Sequence, residues 1–137
     1  MFNFEPIDNP ALIPLYYIIY TSIGIAAAYI VYKAVGTVIK VKIGLADVLL
    51  GVPLEEVLFR GLPLILLGEK GVVAFHFLWA LLHINPPTVV FAFIHGILYV
   101  RLWLSGMWHY AIIIHVLHDL AVLMLSTMSK KKHFGGK

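Results

Sequence analysis

The sequence predicts an all-α, polytopic transmembrane bundle of about five helical segments around a polar cavity within the membrane. Three observations predict it: an apolar composition, apolar runs of membrane-spanning length, and ionisable residues set inside those runs. Of the 137 residues, 61% are hydrophobic and 12% charged, and the mean hydropathy is +0.94. Soluble domains average about 25% charged residues. A hydrocarbon core of about 30 Å asks for roughly 20 apolar residues per helix. Ala11–Tyr32 meets that length with no charge, and Met107–Met128 meets it with one Asp and three His.

The whole chain, residues 1–137, reads as one membrane domain. The first segment is 11–32. The residues before it carry no Lys or Arg, whereas a cleaved signal peptide has a positive start and a shorter apolar core; a retained helix is expected. The second segment is about Ile43–Leu67, interrupted at Gly51-Val52-Pro53 and Gly61-Leu62-Pro63. The third, Gly71–His83, is short and ends at Asn85-Pro86-Pro87, because the residue before a proline is pushed out of the helical region. The fourth is about Thr88–Leu104, with a turn at Ser105-Gly106. The fifth is about Met107–Met128, and a basic tail, 129–137, follows. Barrel strands would alternate in polarity over about ten residues, and these runs do not.

Several functions are excluded. Without cysteine there is no disulfide framework, thiolate nucleophile or Cys-based zinc site. The basic excess, Lys33, Lys40, Lys42 and Lys130–Lys132, lies just beyond helix ends, so it is a topology signal and not a nucleic-acid footprint. Lys/Arg bias sets orientation. With an odd number of spans both groups share the cytoplasmic side, and the N-terminus faces out.

The functional signal is the set of ionisable residues inside apolar segments: Asp47, Glu55, Glu56, Arg60, His76, His83, His95, His115, His118 and Asp119. Each costs about 2.5–3.5 kcal/mol on insertion scales, and such residues persist when they pair, line a wet cavity or do chemistry. Glu55 and Glu56 are neighbours, so on a helix they point about 100° apart. Glu56 and Arg60 have the i,i+4 spacing that lets them pair, which leaves Glu55 free to work. Pro53 suits a first helical position, which would put both glutamates in a first turn where the dipole favours negative charge. His115 and Asp119 also share a face. A lone helical His is more often a hydrogen-bonded core residue, and that is the expectation for His95, His109 and His118.

These residues resemble the signatures of the CAAX protease and bacteriocin-processing family, which includes the Rce1-type prenyl endopeptidases. Its pattern is Glu-Glu-x-x-x-Arg, then Phe-x-x-x-His, then His-x-x-x-Asn or Asp. Glu55-Glu56-x-x-Phe59-Arg60 is similar to the first and His115-x-x-x-Asp119 to the third. Ser105-Gly106-Met107-Trp108 is similar to the Gly-Ser-Leu-Trp run that usually precedes the third. The likeness covers about residues 52–120. The second motif reads Trp79-x-x-x-His83, with Trp for Phe; a literal Phe91-x-x-x-His95 also exists, but the spacing of His83 from Glu55 and His115 is closer to the family's.

The resemblance implies a metal-independent endopeptidase, with no cofactor, that cuts near the membrane. Glu55 would be the general base that activates water, helped by His83. His115 and Asp119 would correspond to the residues that bind the oxyanion, although an ionised Asp119 cannot donate and would instead orient His115. Glu56 and Arg60 would hold the site together. The expected partners are membrane lipid and a membrane-associated peptide or protein, prenylated or not. Three rivals stand: a zinc metalloprotease, which lacks His-Glu-x-x-His; an aspartyl protease, which needs Asp47 and Asp119 to meet; and a non-catalytic scaffold, immunity protein or transporter that uses the same polar cluster for binding.

Overall fold

The computed structural model describes residues 4–36 and 44–134. Among the described residues four helices are long and apolar enough to cross a membrane: α1 (Ile13–Val35), α2 (Asp47–Leu81), α3 (Pro86–Leu104) and α4 (Trp108–Phe134). No strand occurs among the described residues. Lys40, Lys42, Ile43 and the end of the basic tail lie outside them.

Helix α2 is not one rod. At about 1.5 Å per residue, a straight helix would hold Glu55 and Trp79 roughly 36 Å apart. Instead Trp79 Nε1 donates to Glu55 Oε2 at 2.9 Å, and the Arg60 guanidinium lies 4.3 Å from the centre of the Trp79 ring. The chain reverses at Gly68, whose φ of 67° and ψ of −160° fall in a region open essentially only to glycine. Helix α2 is therefore a hairpin with arms 47–67 and 69–81. These arms are the expected second and third segments. The boundary is sharper than expected, because Glu69 and Lys70 remain helical and Gly68 alone makes the turn. The second arm spans only about 20 Å, short of a hydrocarbon core of about 30 Å. The expectation of five segments becomes four long helices, one of them folded in two.

The first arm corrects a second expectation. Pro53 does not begin a new helix. Two widened turns, Asp47–Gly51 and Val57–Gly61, each stop two residues before a proline, Pro53 and Pro63. Proline has no N–H and its ring clashes with the carbonyl four residues back. The widened turn relieves this: Val52 N bonds to Asp47 O and Leu62 N to Val57 O, five residues back in each case. Such insertions are frequent at functional sites. The helix thus continues through Pro53, and Glu55 and Glu56 sit in its interior, away from the dipole of a first turn.

Helix α3 is the central element. Of its best apolar window 39% is buried inside the protein, against 11% for α1 and for α4. Leu98, Tyr99 and Leu102 of α3 pack with Ile7, Ile13 and Ala111, while Ala92 packs with Trp79 and Ala80. Ile18, Ile30 and Ile65 are exposed on the outside, as expected where the surrounding medium is lipid. Lipid removes the hydrophobic drive between helices, so packing and hydrogen bonds must join them. Buried Glu56, Arg60, His76, His95 and His115 supply polar joints. At one end, Ile7 N donates to Ser105 Oγ at 2.5 Å and Arg101 Nε to the Glu5 carbonyl at 2.6 Å. The N-terminal segment is thereby tied to the end of α3.

Candidate active site

The two glutamates of α2 have opposite surroundings. Glu56 is fully buried and both of its oxygens are taken. Oε1 accepts from Arg60 Nη1 at 2.8 Å and His115 Nδ1 at 2.7 Å, and Oε2 accepts from Trp103 Nε1 at 2.8 Å. Glu56 therefore joins the first arm of α2 to α3 and α4. Arg60, also fully buried, is sandwiched by aromatic rings, 4.3 Å from Trp79 and 5.3 Å from Tyr99. Its Nη2 lies 3.5 Å from His76 Nδ1, and His76 Nε2 is 2.9 Å from the Phe93 carbonyl. A carbonyl only accepts, so Nε2 carries the proton and Nδ1 is left as the acceptor that faces the guanidinium. Gly96 makes this close packing possible. A Cβ there would collide with His76 and come within 2.9 Å of Trp79 and 3.2 Å of Arg60.

Glu55 faces a cavity of about 310 Å³ whose lining also includes Asp47, Trp79, His83, His95, His115, His118 and Asp119. Among the described residues its hydrogen-bond partner is the Trp79 indole N–H. His83 Nδ1 lies 3.1 Å from the Trp79 carbonyl and so donates to it, which makes Nε2 the nitrogen with the free lone pair. His115 donates from Nδ1 to Glu56, and its Nε2 is turned toward Asp119 Oδ2 at 4.0 Å. On the cavity wall the His95 and His118 ring centres lie 4.4 Å apart. Tyr99 OH is 3.3 Å from His95 Nδ1, and Tyr17 OH is 3.0 Å from His118 Nδ1. Asp47 Oδ2 accepts from Gly44 N at 2.8 Å. Among the described residues no three His, Asp or Glu side chains converge as a metal-ligand set.

The family profile of Type II CAAX prenyl endopeptidase Rce1-like proteins matches residues 36–121. The chain belongs to this family. No curated protein and no solved structure matches it. The match to the Rce1-like family spans the α2 hairpin, α3 and the first half of α4, which carry the polar groups of the site apart from the Tyr17 hydroxyl.

The hairpin and the crossing of α4 bring Glu55, His83, His115 and Asp119 of this Rce1-like chain to one cavity. Glu56 and Arg60 stand behind it as an ion pair. His83 and His95, the two candidates for the second motif, both line the cavity. Asp119 differs from its expected part. The carboxylate hydrogen-bonded to His115 is Glu56, at 2.7 Å, while Asp119 meets the other ring nitrogen only at ion-pair distance, 4.0 Å. The expected core histidines His95 and His118 are cavity residues as well. Asp47 lines the same cavity as Asp119, a proximity the sequence did not suggest. From sequence, Trp79 stands out only as a motif position and Trp103 not at all, because apolar segments are full of aromatics. Their indole N–H groups, which seek a partner when buried, were the available signal.

Proposed function

We propose that this chain is a metal-independent intramembrane endopeptidase that hydrolyses a peptide bond of a membrane-associated substrate. One asymmetry supports the reading: of two adjacent glutamates, Glu56 has every oxygen occupied, while Glu55 faces a cavity among histidines with one neutral donor. In this reading Glu55 takes a proton from water as the oxygen attacks the scissile carbonyl, and His83 Nε2 helps to hold that water. General-base help of this kind contributes about 10²–10⁴-fold. The carbonyl oxygen, now an oxyanion, is stabilised by His115, which can donate from Nε2 only when both ring nitrogens carry protons. Such donors act most strongly where water is scarce. As the C–N bond breaks, the proton held by Glu55 passes to the leaving amine. Glu56 orients His115 as the acid of a triad orients its histidine.

The cavity lies toward the end of the bundle that holds Lys33, and the helix leading to Lys130–Lys132 runs the same way. By the positive-inside rule we assign this end to the cytoplasm.

The test is cleavage of prenylated and unprenylated peptide libraries by the purified protein in lipid vesicles. Wild type and Asp47→Asn should cleave with or without a chelator, and Glu55→Gln should not. Loss of activity in chelator with recovery in Zn²⁺ would mean a metalloprotease. Loss in Asp47→Asn with activity kept in Glu55→Gln would mean an aspartyl pair, the reading favoured by the shared cavity of Asp47 and Asp119. Inactivity of the wild type toward every peptide would leave the cavity a binding site.

A further inference from the structure

We propose that Trp79 is the positioning residue for Glu55: its indole N–H holds Oε2 and leaves Oε1 as the oxygen that meets the water. The proposal rests on the protease reading above and adds a residue to it. The hydrogen bond, 2.9 Å long, crosses the α2 hairpin between residues 24 apart in sequence. Trp79 itself is held firmly. It is 4% exposed, its ring stacks on His76 at 5.8 Å, and the rings of His83 and His115 meet it edge to face at 4.8 and 5.7 Å. The Arg60 guanidinium lies over the indole. An indole clamped in this way fixes the direction of its N–H, and a carboxylate held at one oxygen loses freedom to swing. Productive catalytic geometry tolerates only about 0.5 Å of misplacement.

The same residue acts at a second point, since its carbonyl accepts from His83 Nδ1. Trp79 thus aims the base with its side chain and sets the tautomer of the helper histidine with its backbone. Comparison with Glu56 shows why a single donor matters. Trp103 gives Glu56 the same indole bond, but Arg60 and His115 occupy its other oxygen. Three donors leave Glu56 no oxygen for chemistry, whereas one donor positions Glu55 and keeps an oxygen free. The family pattern has Phe at this place, and Phe keeps a ring face for Arg60 but has no N–H. Trp79→Phe therefore removes the donor and keeps an aromatic ring, with some loss of packed volume that the parallel stability measurement registers.

The experiment measures Trp79→Phe in lipid vesicles on a peptide that the wild type cleaves, with thermal stability followed in parallel. A hydrogen bond to a charged group is worth enough to change a rate by about 10- to 100-fold. The expected result is kcat lowered by about that factor, KM within about twofold of wild type, and the folded protein retained. Wild-type kcat in Trp79→Phe, with Glu55→Gln inactive, would overturn this proposal and leave the protease reading standing. Wild-type kcat in Glu55→Gln would overturn both. A second measurement does not depend on turnover or on folding of the Trp79 variant. The chain has three tryptophans, so ¹⁵N-tryptophan labelling resolves three indole N–H signals. Glu55→Gln should shift the Trp79 signal and leave that of Trp103 in place. A Trp79 signal indifferent to Glu55→Gln would overturn the contact on which the proposal stands.

Discussion

At the scale of single residues, the proposed mechanism gives Glu55 and Glu56 two tasks that one carboxylate cannot perform together. A carboxylate bound by three donors, as Glu56 is, is a structural joint. One that faces a cavity with a free oxygen is available for proton transfer. Substitution should separate them. Glu55→Gln keeps the shape but cannot take a proton, so turnover should fall about 10²–10⁴-fold with thermal stability unchanged. Glu56→Gln leaves Arg60 buried without its counter-charge. Breaking a buried pair from one side costs about 3–5 kcal/mol in soluble proteins, so yield and melting temperature should drop first. Stability and specific activity measured on both variants decide the matter. The reverse pattern would exchange the roles of the two residues.

At the scale of elements, the site depends on one glycine and one strained turn. Gly68 lets the arms of α2 fold together, and an L side chain there must adopt a conformation costing about 1–3 kcal/mol. Gly68→Ala should lower the melting temperature and weaken the approach of Trp79 to Glu55, read as loss of tryptophan-to-glutamate proximity in crosslinking or of activity. Nothing lies within 4 Å of a Cβ built at Gly68, so any effect comes from backbone geometry and not from a clash. The second turn, between α2 and α3, carries Ile84 at φ 60°, an outlier for a β-branched residue. Ile84 is exposed and follows His83 directly. Asn tolerates the left-handed region, so Ile84→Asn should raise the melting temperature. A fall would mean that the Ile84 side chain contributes more, through its contact with lipid, than the strain costs.

For the molecule as a whole, chain direction alternates from α1 through each arm of α2 to α3 and α4. Contacts of Ile7 with Ser105 and of Gly61 with Trp103 set Asn9 and Glu69 toward one end, while Lys33 and Ile84 lie at the other. All four positions are exposed. Single cysteines introduced at each and probed with a membrane-impermeant reagent should fall into two classes, Asn9 with Glu69 and Lys33 with Ile84. The second pair should label from the cytoplasmic side. Asn9 and Ile84 labelled from one side would break the arrangement, and labelling of the second pair from outside would reverse the orientation while sparing the fold.

The sequence alone determined the helical membrane character, the segment boundaries near residues 67–71 and 83–87, and the pairing of Glu56 with Arg60. Each follows from local physics: run length against bilayer thickness, proline's effect on its neighbours, and i,i+4 spacing on a helix. It also marked the residues that converge, because a charge inside an apolar run is conspicuous wherever its partner lies. Only the tertiary structure decided the partners. That Glu56 and not Asp119 hydrogen-bonds His115, that Trp79 bonds Glu55, and that His95, His118 and Asp47 share the cavity depend on the reversal at Gly68 and the packing of α4 on α2. Those groupings join residues 23 to 71 positions apart, and no periodicity encodes them. The prolines show the same limit at short range: from sequence Pro53 reads as a helix start, but widened turns let the helix run on, and the surrounding packing selects between the two.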